Sequence, residues 1–202
     1  MSIISDPKEW YKEWYKVFRR LLKYSRWAEP LRESALAGEL GRWTEQLTGA
    51  VVATCDSLGW KAVAKGYPGQ ALPISKQEYL AVDVMAFPSQ VEPCWQRPIA
   101  AFELENQLDP NSISYSLWKV SMIRCNFGGV FCYCRQPEEI KDLLRSLTES
   151  VMVPLFSPVD SLDAVVFLVV GTRSKAEDFP DGFFRPYFWD RAYGQFRLPT
   201  IF

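Results

Sequence analysis

Trp10, Trp14, Val17, Phe18, Leu21 and Leu22 recur at three- and four-residue steps, the period that lines one face of an α-helix. Asp6-Pro7 precedes them as a capping residue and a first-turn proline. The other face carries Lys8, Lys12, Lys16, Arg19, Arg20, Lys23 and Arg26. Basic side chains beside tryptophans suit a nucleic-acid backbone, although the same pattern more often marks a packing helix with a solvated face. Pro30 is expected to break this helix. A second one is predicted over 34–58 from Leu36, Leu40, Trp43, Leu47, Val51, Cys55 and Leu58, with Gly59 closing it. Glu39 borders its apolar stripe, and Glu45 lies further round, toward solvent.

The period then shortens. "WKAVAKG" (60–66) reads as a short strand, and a Gly/Pro-rich connection follows. "EYLAVDVMAF" (78–87) reads as a buried strand with one charge, Asp83, in its middle. "IAAFELEN" (99–106) is a third strand ending in Glu103, Glu105 and an amide. A helix is expected over 112–125, a strand over 128–135, and a helix from Pro137 with acids in its first turn. "DAVVFLVVGTR" (163–173) is apolar throughout, as a strand covered on both faces would be. The aromatic segment after it, "GFFRPYFWDRAYGQFRLPTIF", contains a further strand whose rings must pack on something.

The order α-α-β-β-β-α-β-α-β predicts an α/β fold: a central mixed sheet flanked by helices, an antiparallel meander first and parallel crossovers after it. One domain is expected over 1–202. It comprises an amphipathic N-terminal helix (1–30), a core (34–175) and an aromatic extension (176–202).

Composition narrows the chemistry. The 202 residues are 48% apolar and 15% aromatic, enough for one core. The formal net charge of −1 lacks the strong basic bias that advertises nucleic-acid binding. There is no histidine, and none of the five cysteines forms a C-x-x-C pair. This argues against structural zinc and removes Ser-His-Asp and Cys-His catalysis. Cys132 and Cys134, two apart on one face of a strand, are expected to be small buried hydrophobes in a reducing compartment. The first residues lack a signal-peptide pattern. The longest apolar run, 163–171, is too short to span a bilayer, so a cytoplasmic protein is expected, with no membrane partner. Nucleotide-binding glycine motifs are absent.

The acids are the informative feature. Side chains alternate along a strand, so Glu103 and Glu105 share a side with Ala101, while Phe102 and Leu104 point the other way. If the strand holding Asp83 pairs with this one, three carboxylates converge. Burying one unpaired carboxylate already costs several kcal/mol, roughly, and a hard divalent cation would offset that. Mg²⁺ typically takes one or two carboxylates plus water and phosphate. On the following helix Tyr115 and Lys119 share a face away from the Ile113–Leu117–Val120 stripe.

An acid in a helix, an Asp in a strand, an acid pair in the next strand and a helix after it resemble the PD-(D/E)XK nuclease superfamily, over about residues 39–134. The resemblance implies a restriction-endonuclease-like fold and metal-dependent hydrolysis of nucleic-acid phosphodiesters with Mg²⁺ or Mn²⁺. It implies Asp83 and Glu103 as metal ligands and Glu105 as a further ligand or base. Glu39 would be the helix acid that reaches the metal through water. Two positions depart from the pattern: Val82 stands where a proline is usual, and Glu105 occupies the lysine position. Lys119 is the candidate replacement for that lysine, and Asn106 or Gln107 would position water or phosphate. The alternative is a catalytically inactive domain of the same fold that acts as a binding module, with structural acids and an aromatic surface for a partner or a homodimer.

Overall fold

Seven strands form one mixed sheet in which spatial order follows chain order: β1 (Trp60–Ala64), β2 (Val84–Pro88), β3 (Ala100–Leu104), β4 (Phe127–Cys134), β5 (Val165–Thr172), β6 (Phe184–Asp190) and β7 (Gln195–Arg197). The computed structural model describes residues 7–155 and 164–199. Asp6, the expected cap of the first helix, Asp163 and the last three residues lie outside them. β1, β2 and β3 run antiparallel, β3, β4 and β5 parallel, and β5, β6 and β7 antiparallel. Each parallel step carries a helix in its connection, because a parallel neighbour requires a long crossover. The expected α/β class, the meander and the crossovers are all present. The segment after β5 supplies two strands rather than one.

Helices cover both faces. On one side α1 (Pro7–Tyr24), α2 (Ala28–Ala37) and α3 (Leu40–Ser57) join Phe102, Leu104, Phe131 and Phe167 in an aromatic core. On the other, α4 (Pro110–Ser121) and α5 (Ile140–Leu147) pack Ile113, Leu117, Val120, Ile140 and Leu143 onto Val130, Cys132, Leu168 and Val170. A third cluster uses the connection between β1 and β2: Ala71, Tyr79 and Val82 cover Val63, Met85, Phe87 and Ala101.

The helix over 34–58 is in fact two helices. Gly38 adopts φ 68° and its N–H bonds Ser34 O, ending α2 before α3 begins; this left-handed cap is cheap only for glycine. Pro30 does not break α1, which has already ended at Tyr24. It sits in the first turn of α2, where its missing N–H would have had no intrahelical partner.

Trp10 and Trp14 pack toward the core. Trp14 is wholly buried, with ring centroids 5.0 Å from Phe18 and 4.6 Å from Phe102, and Trp10 stacks on Trp60. Several basic residues of the outer face pair with acids: Lys12 with Glu9, Lys16 with Glu13, and Arg19 and Lys23 with Asp181. The C-terminal aromatics also turn inward. Phe179, Phe183, Phe184, Tyr187, Trp189 and Phe196 are buried, whereas Tyr193 of the same segment is exposed. Cys132 and Cys134 are buried free thiols as expected, Cys55 is buried too, and Cys94 is exposed. Among the described residues no helix is long and apolar enough to cross a membrane.

Candidate active site

The antiparallel pairing of β2 and β3 sets Val84 opposite Phe102, which brings the start of β2 beside the end of β3. Asp83 is the residue immediately before β2, not the middle of a strand as expected. The segment 78–83 turns instead: Val82 N–H bonds Tyr79 O, and Leu80 and Ala81 stand at φ 56° and 54°. Two consecutive side-chain-bearing residues in the left-handed region are costly, of order 1–2 kcal/mol each, so the surroundings must hold them there. One restraint is visible: Lys119 Nζ donates to Ala81 O at 2.7 Å.

The same ammonium lies 2.8 Å from Glu103 Oε2. Glu103 is the fourth residue of β3, on the face toward α4, and only 5% exposed. Its other oxygen, Oε1, is buried and accepts no hydrogen bond. Asp83 Oδ2 accepts from the Leu104 backbone N–H at 2.7 Å, which locks the carboxylate onto the end of β3. Burial pushes Glu103 up to about 7 and the nearby Asp83 charge adds to this, while the Lys119 hydrogen bond opposes it. Asp83 is also raised, first by burial, against the Leu104 N–H and the Lys119 charge. Two acids and one lysine thus share a poorly hydrated corner in which the acids disfavour each other's ionisation.

Glu105 belongs to the rim. It follows β3, and its Oε1 accepts from Gln107 N–H at 2.7 Å, while Ser116 Oγ of α4 stands 3.5 Å from Oε2. Glu103 and Glu105 do turn to the same helix, as alternation predicts, but Glu105 is tied down by its own loop. Asn106 turns the other way: its Nδ2 donates to Thr44 Oγ1 of α3, and its backbone carbonyl accepts from Arg173 Nη2 at 2.8 Å. Glu39 is the exposed N-cap residue of α3 and pairs with Arg42 at 3.6 Å. Among the described residues no hydrogen bond or ion pair links it to Asp83, Glu103 or Lys119.

Among the described residues no group of three or more His, Cys, Asp or Glu side chains could hold a metal ion. The convergent carboxylates are therefore two, Asp83 and Glu103, a narrower set than the four acids the sequence suggested. Two carboxylates, one with a buried oxygen lacking any partner, remain compatible with a hard cation that completes its shell with water and phosphate oxygen.

No protein-family model, curated protein or solved structure matches the chain. The geometry of the corner itself therefore carries the functional reading. The sequence pattern gave no sign of Arg173, Thr44 or Ser116. Each is an ordinary polar residue in its own element, and only the fold brings it to the end of β3.

Proposed function

We propose that the chain is a metal-dependent nuclease of restriction-endonuclease-like fold. The observation that carries this reading is the convergence of Asp83, Glu103 and Lys119 at the β2–β3 edge, around a buried carboxylate oxygen with no hydrogen-bond partner. The succession α3-β1-β2-β3-α4-β4, antiparallel and then parallel, supports it further.

Asp83 and Glu103 would hold Mg²⁺ or Mn²⁺. Such an ion, when bound, offsets charge on a scissile phosphate and makes bound water more acidic. The chain's residues do the rest. Leu104 N–H orients Asp83. Glu103 gives up its proton as the site is loaded, because its carboxyl titrates near neutrality. Lys119, steadied by Glu103 and Ala81 O, has a third N–H to donate to the negative charge that develops on phosphate oxygens. Glu105 and Ser116 brace the loop that follows β3.

The test is cleavage of plasmid DNA, single-stranded DNA and RNA with Mg²⁺ or Mn²⁺, together with calorimetric titration of Mn²⁺. Wild type should cleave at least one substrate and give binding heat, and Asp83→Asn should do neither while staying folded. No cleavage and no heat from wild type would overturn the reading. A second reading, a non-catalytic binding module, draws on the double anchorage of Lys119: an ammonium already satisfied by Glu103 and Ala81 O can hold the turn before β2 without any cation. That reading expects Asp83→Asn to lose stability and neither protein to give metal heat.

A further inference from the structure

Beside Lys119, on the outer face of α4, Tyr115 and Trp118 are 60% and 45% exposed. Their rings stack on one another, with centroids 5.9 Å apart and planes 25° from parallel. Lys119 Nζ lies 5.8 Å from the Tyr115 ring centroid. The opposite face of α4 is committed to the core through Ile113, Leu117 and Val120, so this pair is not needed to seat the helix. Two large aromatic rings, offset and nearly parallel and left partly in water, are poised to take a third ring.

We propose that Tyr115 and Trp118 form a base-stacking platform for single-stranded nucleic acid, delivering its backbone to Lys119 and the Asp83–Glu103 corner. The proposal rests on the nuclease reading for what happens next, but not for binding. Two considerations favour this occupant. Lys119 belongs at once to the platform and to the corner, so a strand stacked on the rings meets the acids within one side chain. Second, paired bases hide their π-faces within the duplex, so an aromatic side chain on a helix surface reaches the faces of unpaired bases only.

Fluorescence anisotropy of labelled oligonucleotides, DNA and RNA, single-stranded and duplex, tests the proposal without turnover, in EDTA and separately with Ca²⁺. Wild type should bind single strands more tightly than duplexes of equal length. Tyr115→Ala/Trp118→Ala should weaken single-strand binding about tenfold or more, the scale of one lost base stack. Trp118→Phe should restore most of it. Both positions are exposed, so these variants should keep the wild-type melting temperature. The platform is overturned if wild type binds no oligonucleotide in either condition, or if the double variant binds as wild type does. It is equally overturned if the double variant changes only the oligomeric state in light scattering, since the pair is then a protein interface. Single-strand binding that depends on the two rings, in a wild type that cleaves nothing, keeps the platform and removes the nuclease reading. Cleavage with ring-independent binding does the reverse.

Discussion

Lys119 Nζ stands 2.8 Å from Glu103 Oε2 and 2.7 Å from Ala81 O. One ammonium therefore ties α4 to β3 and to the turn that precedes β2. Lys119→Met should leave the buried Glu103 carboxylate unpaired and destabilise the fold by about 1–3 kcal/mol near pH 8. Urea unfolding measures it. The loss should shrink near pH 5, about two units below the value at which Glu103 titrates, where the carboxyl carries a proton. A pH-independent loss would mean that the lysine acts through packing of its stem.

Glu103 gives a second prediction. Its carboxyl sits at about 7 in the folded protein against an ordinary 4.5, so the folded state holds this proton more tightly than the unfolded chain. Its contribution to stability is fully present below about 4.5 and is lost as pH rises to about 7, flattening above that. The size is on the order of 1–3 kcal/mol. Glu103→Gln should remove this slope. Thermal unfolding of both proteins in EDTA between about pH 4 and pH 8 reads the difference.

Divalent cations should invert that behaviour. An ion bound by Asp83 and Glu103 needs both ionised, so Mn²⁺ affinity should fall as pH drops through about 7, by up to about tenfold per unit. Titration calorimetry in buffers of different ionisation heat should show a proton released on binding. Unchanged affinity from about pH 8 to pH 5.5 would exclude Glu103 as a ligand.

Asp83→Asn separates structure from chemistry. The amide carbonyl can still accept from Leu104 N–H, replacing the charge-assisted bond with a neutral one, so the fold should weaken by only about 1 kcal/mol. Metal heat and any cleavage should disappear. Circular dichroism and calorimetry on one preparation decide it.

Trp14 anchors α1 against Phe102, Phe127, Phe131 and Phe167. Trp14→Ala should cost about 3–5 kcal/mol, a large share of the stability of a domain this size. A mild loss in urea unfolding would show that α1 is an appendage rather than part of the core.

The strands and helices of the middle of the chain were legible because their periods are clean. Alternation through 100–104 placed Phe102 and Leu104 in the α1–α3 core and Glu103 toward α4. The Ile113–Leu117–Val120 stripe is buried as expected. The turn before β2 was illegible, because "EYLAVDV" is as apolar as a strand. Tyr79 and Val82 are buried by wrapping over Val63 and Met85, not by pairing in the sheet, while Leu80 and Ala81 between them are exposed. The split of 34–58 into two helices leaves no mark on the apolar pattern, because Gly38 interrupts the backbone without interrupting the apolar spacing.

From its sequence alone the chain determined the α/β alternation, the apolar faces and three residues that meet beside the end of β3, Asp83, Glu103 and Lys119. Hydrophobic period and residue chemistry are local properties, carried by neighbours within a turn or a strand. Which acids meet was settled by tertiary structure. Register sets Val84 against Phe102, the crossover lays α4 over β3, and a left-handed turn delivers Ala81 O to Lys119. Glu105 and Glu39, equal candidates by residue type, are held elsewhere by Gln107 N–H and Arg42. Distances between segments far apart in the chain depend on how whole layers pack, and no local pattern encodes them.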